Sequence, residues 1–210
     1  MNQEAEKPLK EMSNEINKII NVMEDLDMSV YRKDNRNYNL NIVGVRSTEI
    51  MVNAFNDKIF VFWWYNGLLN HLYFPCTTLA GLIMLEKPVN PKGCAILKEG
   101  QYKSTWKLDL HRGKYTALCQ RLNDVVVYRD ADGDKEFDFI NESTEKGKFG
   151  INIHRASTLM DLTEIGRYSA GCQVLPKYTD WVTFIGLCEL AVKNGFKNSF
   201  TYTLLKEEWL

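Results

Sequence analysis

The chain lacks any apolar stretch long enough to cross a membrane. A spanning helix needs roughly 20 apolar residues, and the longest apolar stretches, residues 58–65 and 76–85, are shorter. Both are interpreted as buried strands. The first ten residues are charged and contain no apolar segment of a secretory signal. We therefore expect no membrane partner, and synthesis in the cytoplasm without a signal peptide.

An excess of positive charge is absent as well. The 26 Lys and Arg residues are balanced by 27 Asp and Glu residues, for a net charge of −1. Binding to a phosphate backbone usually needs a basic surface, so nucleic acid is not an expected partner. With 45% hydrophobic and 25% charged residues, the composition is typical of a globular domain.

Cysteines are few, and their spacing excludes two common uses. An odd number without a Cys-x-x-Cys pair argues against a disulfide framework and a zinc ribbon. Four of them lie in apolar patterns and are expected to be buried small side chains; these are Cys76, Cys94, Cys119 and Cys188. Cys172 stands apart, because it follows small residues in a predicted turn.

The hydrophobic pattern divides the chain into a helix and a strand-rich domain. Residues 1–26 have apolar side chains at helical spacing, namely Leu9, Met12, Ile16, Ile19, Ile20 and Met23. We expect this helix to pack on the domain, and an oligomer through it is the alternative. A polar linker, residues 31–38, would precede a catalytic domain over residues 39–210.

Many short strands are predicted within that domain. They are residues 40–45, 58–64, 69–74, 93–97, 104–110, 115–121, 125–129, 135–140 and 150–154, rich in β-branched and aromatic residues and separated by turn residues. A helix over residues 179–194 and a last strand over 200–205 follow. The expected fold class is mainly β (α+β), a sandwich or barrel with an N-terminal and a C-terminal helix.

The strongest indication of a catalytic site in the sequence is the pair His154 and Cys172. The histidine ends a predicted strand, a loop over residues 155–168 follows, and Ser169-Ala170-Gly171 leads into the cysteine. Small residues leave the backbone open to a substrate carbonyl, and glycine permits a tight turn. An imidazole can lower the pKa of a thiol and take its proton. The N–H groups of Gly171 and Cys172 are candidates for an oxyanion hole.

This segment resembles the catalytic domain of the L,D-transpeptidase family. That family has a strand ending in Ile-His-Gly, then Ser-His-Gly-Cys, a helix and a last strand; here Ile153-His154 and Ser169-Ala170-Gly171-Cys172 stand in the same order, 18 positions separating histidine from cysteine. Residues 77–81 are loosely similar to the family's Thr-Pro-x-Gly stretch. The resemblance covers residues 150–205, is weak over 58–149 and is absent over 1–40.

The resemblance implies acyl transfer on peptidoglycan stem peptides without any required cofactor. Cys172 would be the nucleophile and His154 its base. Ser169 would orient the turn or the imidazole, whose second nitrogen would be held by a backbone carbonyl or a hydroxyl. The thioester would pass to an amine or to water, as in a transpeptidase, a carboxypeptidase or an endopeptidase.

Three positions depart from the family's pattern. Arg155-Ala156 replaces the glycine after the histidine, Ala170 replaces the second histidine, and Val174 replaces the usual Arg or Asn. Arg155, Gln173 and Tyr168 are the remaining candidates for contacts with the stem peptide.

A second motif gathers carboxylates at positions 1, 3, 5 and 9 of a possible calcium loop. They are Asp130, Asp132, Asp134 and Asp138, and alternating oxygen ligands suit a hard cation. Lys135 occupies the position of the usual glycine, and Asn141 that of the usual glutamate. The alternative is a hairpin of residues 125–129 and 135–140 turned at Asp132-Gly133.

Other interpretations remain open. One is a non-catalytic structural or binding protein on the same fold, for instance a virion component. If the protein is instead the enzyme that acts on peptidoglycan, it would act at the cell wall or in a phage particle. A papain-like peptidase is disfavoured, because its cysteine precedes its histidine. His111, in His-Arg-Gly-Lys, is expected to be an exposed turn residue.

Overall fold

The protein is mainly β, with 37% strand and 20% helix, in a computed structural model that describes residues 3–32 and 38–210. The helices are α1 (Gln3–Asp25), α2 (Leu82–Glu86) and α3 (Tyr178–Lys193). The strands are β1 (Asn41–Arg46), β2 (Asp57–Tyr65), β3 (Leu68–Cys76), β4 (Cys94–Leu97), β5 (Gly100–His111), β6 (Tyr115–Gln120), β7 (Val125–Asp130), β8 (Glu145–Gly147), β9 (Ile153–Arg155), β10 (Gln173–Leu175) and β11 (Phe200–Lys206). Asn141–Ser143 and Glu207–Trp209 form short 3-10 turns.

Eight strands form a nearly closed, barrel-like sheet. Their order is β10-β9-β6-β5-β11-β1-β2-β3. The β1–β11 and β9–β10 pairs are parallel, and the others are antiparallel. The two edges meet where Thr77, just after β3, exchanges two backbone hydrogen bonds of 3.0 Å with Val174 of β10. This closure places the chain after β3 beside the segment that contains Cys172.

The core of the domain lies between the eight-stranded sheet and helix α3. Trp106, Tyr202 and Phe184 are among the largest fully buried side chains, and all three belong to this cluster. β-branched and aromatic residues fill it because alternate strand residues point inward. The four cysteines expected to be small core side chains are all buried and reduced.

Helix α1 covers the outer face of the sheet. Four residues of its apolar stripe are buried against Val43, Val45, Phe60, Phe62 and Leu205; they are Ile16, Ile19, Ile20 and Met23. The expectation that this helix packs on the domain is therefore confirmed. The side chain of Leu9 and linker residues 33–37 lie outside what the structure describes.

Most predicted strands are confirmed, but the segment between β7 and β9 differs. Residues 135–140 are not a strand, so the predicted hairpin is wrong. Instead β7 pairs with β4 and β8 in a separate three-stranded sheet. The strand predicted at 150–154 begins only at Ile153, and the short α2 was not predicted. None of the described helices is long and apolar enough to span a membrane.

Candidate active site

The strand that contains His154 pairs in parallel with the strand that directly follows Cys172. His154 of β9 lies directly across from Val174 of β10. Cys172 precedes Val174 by two positions, and side chains two positions apart on an extended chain share a face. The sequence predicted a helix soon after the cysteine, whereas β10 comes first and aligns the cysteine with the histidine strand.

The backbone of Arg155 fixes the orientation of the His154 ring. Its carbonyl lies 2.8 Å from Nδ1 of His154, and a carbonyl only accepts hydrogen bonds, so Nδ1 carries the proton. The hydroxyl of Tyr115 lies 3.3 Å from the same nitrogen and 3.3 Å from the same carbonyl. Nε2 is consequently the basic nitrogen of the ring, and the expected carbonyl and hydroxyl contacts to the other nitrogen are both present.

Burial keeps the imidazole of His154 neutral. Desolvation and, to a smaller extent, the adjacent His111 lower its pKa to about 3, while the hydrogen bond to Arg155 acts in the opposite direction. At neutral pH the ring is therefore an uncharged acceptor that can take a proton.

The sulfur of Cys172 is held between two backbone groups. It lies 3.4 Å from the N–H of Asn152 and 3.5 Å from the carbonyl of Gly150. Desolvation raises the pKa of this thiol, although the Asn152 hydrogen bond and the charge of Arg112 lower it. The expectation of a depressed thiol pKa is wrong for this resting arrangement, because burial outweighs the stabilising contacts.

The turn before the cysteine is held by Ser169. Its Oγ donates to the carbonyl of Cys172 at 2.8 Å and accepts from the N–H of Gly171 at 3.1 Å. Ser169 thus orients the turn rather than the imidazole. Since the Gly171 N–H is occupied, the expected two-amide oxyanion hole is not formed here, and the N–H of Cys172 is the remaining backbone candidate.

Gly171 itself has no acceptable substitute in this conformation. Its φ is +117°, and a Cβ at this position would lie 1.9 Å from the carbonyl oxygen of Ala95. The N–H of Gly81, in the segment that follows β3, donates to the carbonyl of Ser169 at 2.9 Å. The turn is therefore packed between β4 and the segment that follows β3.

The three residues predicted to contact substrate have different environments. Gln173 is fully buried; its amide lies 3.4 Å from the carbonyl of Gly171 and it accepts from the Tyr202 hydroxyl at 3.0 Å. It supports the turn from inside and cannot reach a substrate. Tyr168 is exposed, and Arg155 is half-buried, with its guanidinium 3.9 Å from the ring centre of Tyr115.

His111 is a site residue that the sequence analysis placed wrongly. It is 6% exposed rather than an exposed turn residue, because it ends β5 with its ring against that of His154 on β9. Its ring centre lies 4.2 Å from that of His154, in a stacked arrangement. Desolvation and nearby arginines lower its pKa to about 4. A signal existed in the sequence, because His111 follows the predicted strand 104–110 and Tyr115 begins the next one; the structure places the two residues opposite each other in the β5–β6 hairpin.

Asn152 links His111 to the cysteine. Its side-chain amide donates to Nδ1 of His111 at 3.0 Å, while its Oδ1 accepts from the N–H of Gln120 at 2.9 Å. Its backbone N–H contacts the Cys172 sulfur. One residue therefore positions both the second histidine and the thiol.

A cavity of about 360 Å³ lies next to the cysteine turn. It is lined by Val89, Asn90, Gly93, Cys94, Ala95, Arg129, Lys148, Phe149 and Ala170. Ala170 belongs to the turn, and Phe149 adjoins Gly150, whose carbonyl contacts the thiol. Of the two basic residues in this lining, Arg129 pairs with Glu145 at 3.0 Å, and the exposed Lys148 is the one that favours an anionic group here.

The carboxylates of the acidic motif lie in the loop after β7. Asp130 ends that strand and is 1% exposed, whereas Asp132 and Asp134 are exposed and Asp138 is half-buried. Within the described residues, no group of three or more His, Cys, Asp or Glu side chains is arranged to hold a metal ion.

Comparison with known proteins identifies no relative: no family model, no curated protein and no solved structure matches the chain.

Proposed function

We propose that this protein is a cysteine-dependent acyltransferase or peptidase that acts on peptidoglycan stem peptides, on a fold like that of the L,D-transpeptidases. The observation that carries the proposal is the parallel β9–β10 pair, which aligns His154 with the turn bearing Cys172. The carbonyl of Arg155 leaves Nε2 of that histidine as the base.

The reaction begins with a neutral pair. As the Cys172 sulfur attacks the substrate carbonyl, Nε2 of His154 takes the thiol proton, and the C–S bond forms while negative charge collects on the carbonyl oxygen. The N–H of Cys172 is the donor available to that oxygen. When this tetrahedral intermediate collapses, the bond to the leaving amine breaks and the amine receives the proton from His154. A thioester on Cys172 remains, and an amine or water then attacks it.

Substrate recognition falls to exposed residues around the turn. A stem peptide ends in a carboxylate, for which the guanidinium of Arg155 is a suitable partner. Tyr168 offers an exposed ring on the other side of the turn. Lys148, exposed at the neighbouring cavity, is a second cation in reach of an anionic peptide group.

The test is mass spectrometry of muropeptides after incubation with purified protein. Shortened or newly cross-linked stem peptides are expected, and Cys172→Ser and His154→Gln should each reduce product formation by about 100-fold or more. Matched controls are Cys188→Ala on helix α3 and His71→Gln on β3. Both should retain activity.

A non-catalytic protein on the same fold is the second candidate. The observation that favours it is the raised pKa of Cys172 together with the two backbone contacts to its sulfur. Unchanged muropeptides with wild-type protein, or product that persists in Cys172→Ser, would favour this candidate over the enzyme.

A further inference from the structure

A buried carboxylate at the end of β7 lacks a full set of partners. Asp130 is 1% exposed, and its Oδ1 has no hydrogen-bond partner among the described residues. Its Oδ2 accepts from the N–H of Asp138 at 3.2 Å, so the carboxyl group faces the acidic loop. A buried charge is costly unless a cation or hydrogen bonds compensate it.

The surroundings of Asp130 add negative charge. Burial and the carboxylates of Asp138, Asp132 and Asp134 together raise its pKa to about 6, although the hydrogen bond from the Asp138 N–H acts in the opposite direction. The nearby basic residues are engaged elsewhere: Arg129 pairs with Glu145 at 3.0 Å, and Lys135 with Glu86 at 2.8 Å. The loop therefore concentrates carboxylates around an oxygen that no basic side chain neutralises among the residues that the structure describes.

In this loop the side chain of Asp130 is held in place by its neighbours, whereas Asp132 and Asp134 are exposed. Asp130 is anchored opposite Cys94 of β4, and Gly93 packs closely against its carbonyl. Phe139 returns the chain to the domain by packing its ring against Tyr128, 5.5 Å between centres. The exposed carboxylates of Asp132 and Asp134 now accept hydrogen bonds from the backbone N–H groups of Asp134 and Glu136, so both would have to turn from these contacts to join Asp130.

We infer that the loop of residues 130–138 binds a calcium ion, with Asp130 as the buried ligand and Asp132, Asp134 and Asp138 as further oxygen donors. Calcium suits the site better than magnesium, because it accepts irregular geometry and carboxylates that move on binding. The usual bidentate glutamate is Asn141. We therefore expect weak binding, with a Kd of about 10⁻⁴ to 10⁻³ M.

The test measures thermal unfolding of the full chain in EDTA, in 10 mM calcium chloride and in 10 mM magnesium chloride. Calcium should raise the Tm of the wild-type protein by about 3–8 °C, and magnesium by less. Asp130→Asn should abolish the calcium response. Asp124→Asn is the matched control: Asp124 is exposed just before the other end of β7, and this variant should respond as wild type does.

Calorimetric titration with calcium gives a second measurement on variants of exposed residues. Asp132→Asn and Asp134→Asn should each weaken calcium binding by about 10-fold or more, and neither changes a buried group. A wild-type Tm that is the same in calcium and EDTA would overturn the inference. So would an equal rise in wild type and Asp130→Asn, because binding would then lie elsewhere.

Discussion

At the scale of single residues, the protonation states of Cys172 and His154 determine how the pair can react. The pKa of the thiol is raised and that of the imidazole is lowered, so the resting site holds a thiol and a neutral ring. A preformed thiolate–imidazolium pair would require the opposite shifts. In the proposed reaction, proton transfer therefore accompanies attack on a bound carbonyl, and the resting thiol reacts slowly with other electrophiles.

Alkylation of Cys172 by iodoacetamide should consequently be slow at neutral pH. Because burial raises the pKa of this thiol above its ordinary range, only a small fraction is thiolate at pH 7, and the rate should increase about tenfold per pH unit up to the pKa. Peptide mapping by mass spectrometry follows the label, and Cys172 is the one half-buried cysteine; the other four are buried. A rate plateau below pH 8 would contradict the raised pKa.

The residues of the candidate active site were only partly predictable from the sequence. Cys172 and His154 stand out because small residues and a strand end flank them in one local segment. His111 was missed because its role depends on stacking with His154, a contact between distant parts of the chain. Gln173 was expected to face substrate, yet closure of the sheet buries it under Tyr202.

At the scale of elements, the side-chain pattern predicted most strands correctly. The prediction failed in one loop whose residues show a similar pattern. Residues 135–140 alternate polar and apolar side chains, but Phe137 and Phe139 pack on a small separate cluster with Tyr128. No strand partner is available there, because β7 already pairs with β4 and β8. Strand β10 escaped prediction because three residues are too few to show a period.

At this scale, the testable prediction concerns the packing of helix α1 on the sheet. Ile19 is fully buried between the helix and the sheet, so Ile19→Ala should lower the free energy of unfolding by about 2–4 kcal/mol. Urea unfolding measures this change, and sedimentation velocity should show an unchanged oligomeric state.

Lys18→Ala is the control for the helix prediction, because Lys18 is exposed on the same helix. It should change stability by no more than about 0.5 kcal/mol. A loss below 1 kcal/mol for Ile19→Ala, or dissociation of an oligomer, would mean that this face contacts something other than its own sheet.

At the scale of the whole molecule, closure of the sheet assembles the site from four separate parts of the chain. The hairpin of β5 and β6 supplies His111 and Tyr115, and β9 and β10 supply the histidine and the cysteine turn. The segment after β3 completes the wall through the pairing of Thr77 with Val174. Long-range pairing of this kind leaves no local trace in sequence, which is why the predicted site residues all lie within residues 154–173, whereas the structure adds residues from distant strands.

This assembly also makes the stability of the whole domain depend on pH through its buried histidines. His111 is neutral in the folded protein down to about pH 4, whereas in the unfolded chain it binds a proton below its ordinary pKa of about 6.5. The unfolded state therefore binds more protons between these values, and stability must fall as the pH falls from 7 to 4.

Replacing His111 with Gln removes this contribution, and titrating groups away from His111 cancel in the comparison; His154, whose pKa the adjacent His111 lowers, is the exception. A shift of about 2.5 pKa units corresponds to about 3 kcal/mol. Relative to His111→Gln, the wild-type free energy of unfolding should thus decrease by up to about 3 kcal/mol between pH 7 and pH 4, measured by urea unfolding at half-unit steps. A difference that stays constant over this range would mean that His111 titrates normally in the folded protein and that its ring is not held neutral against His154.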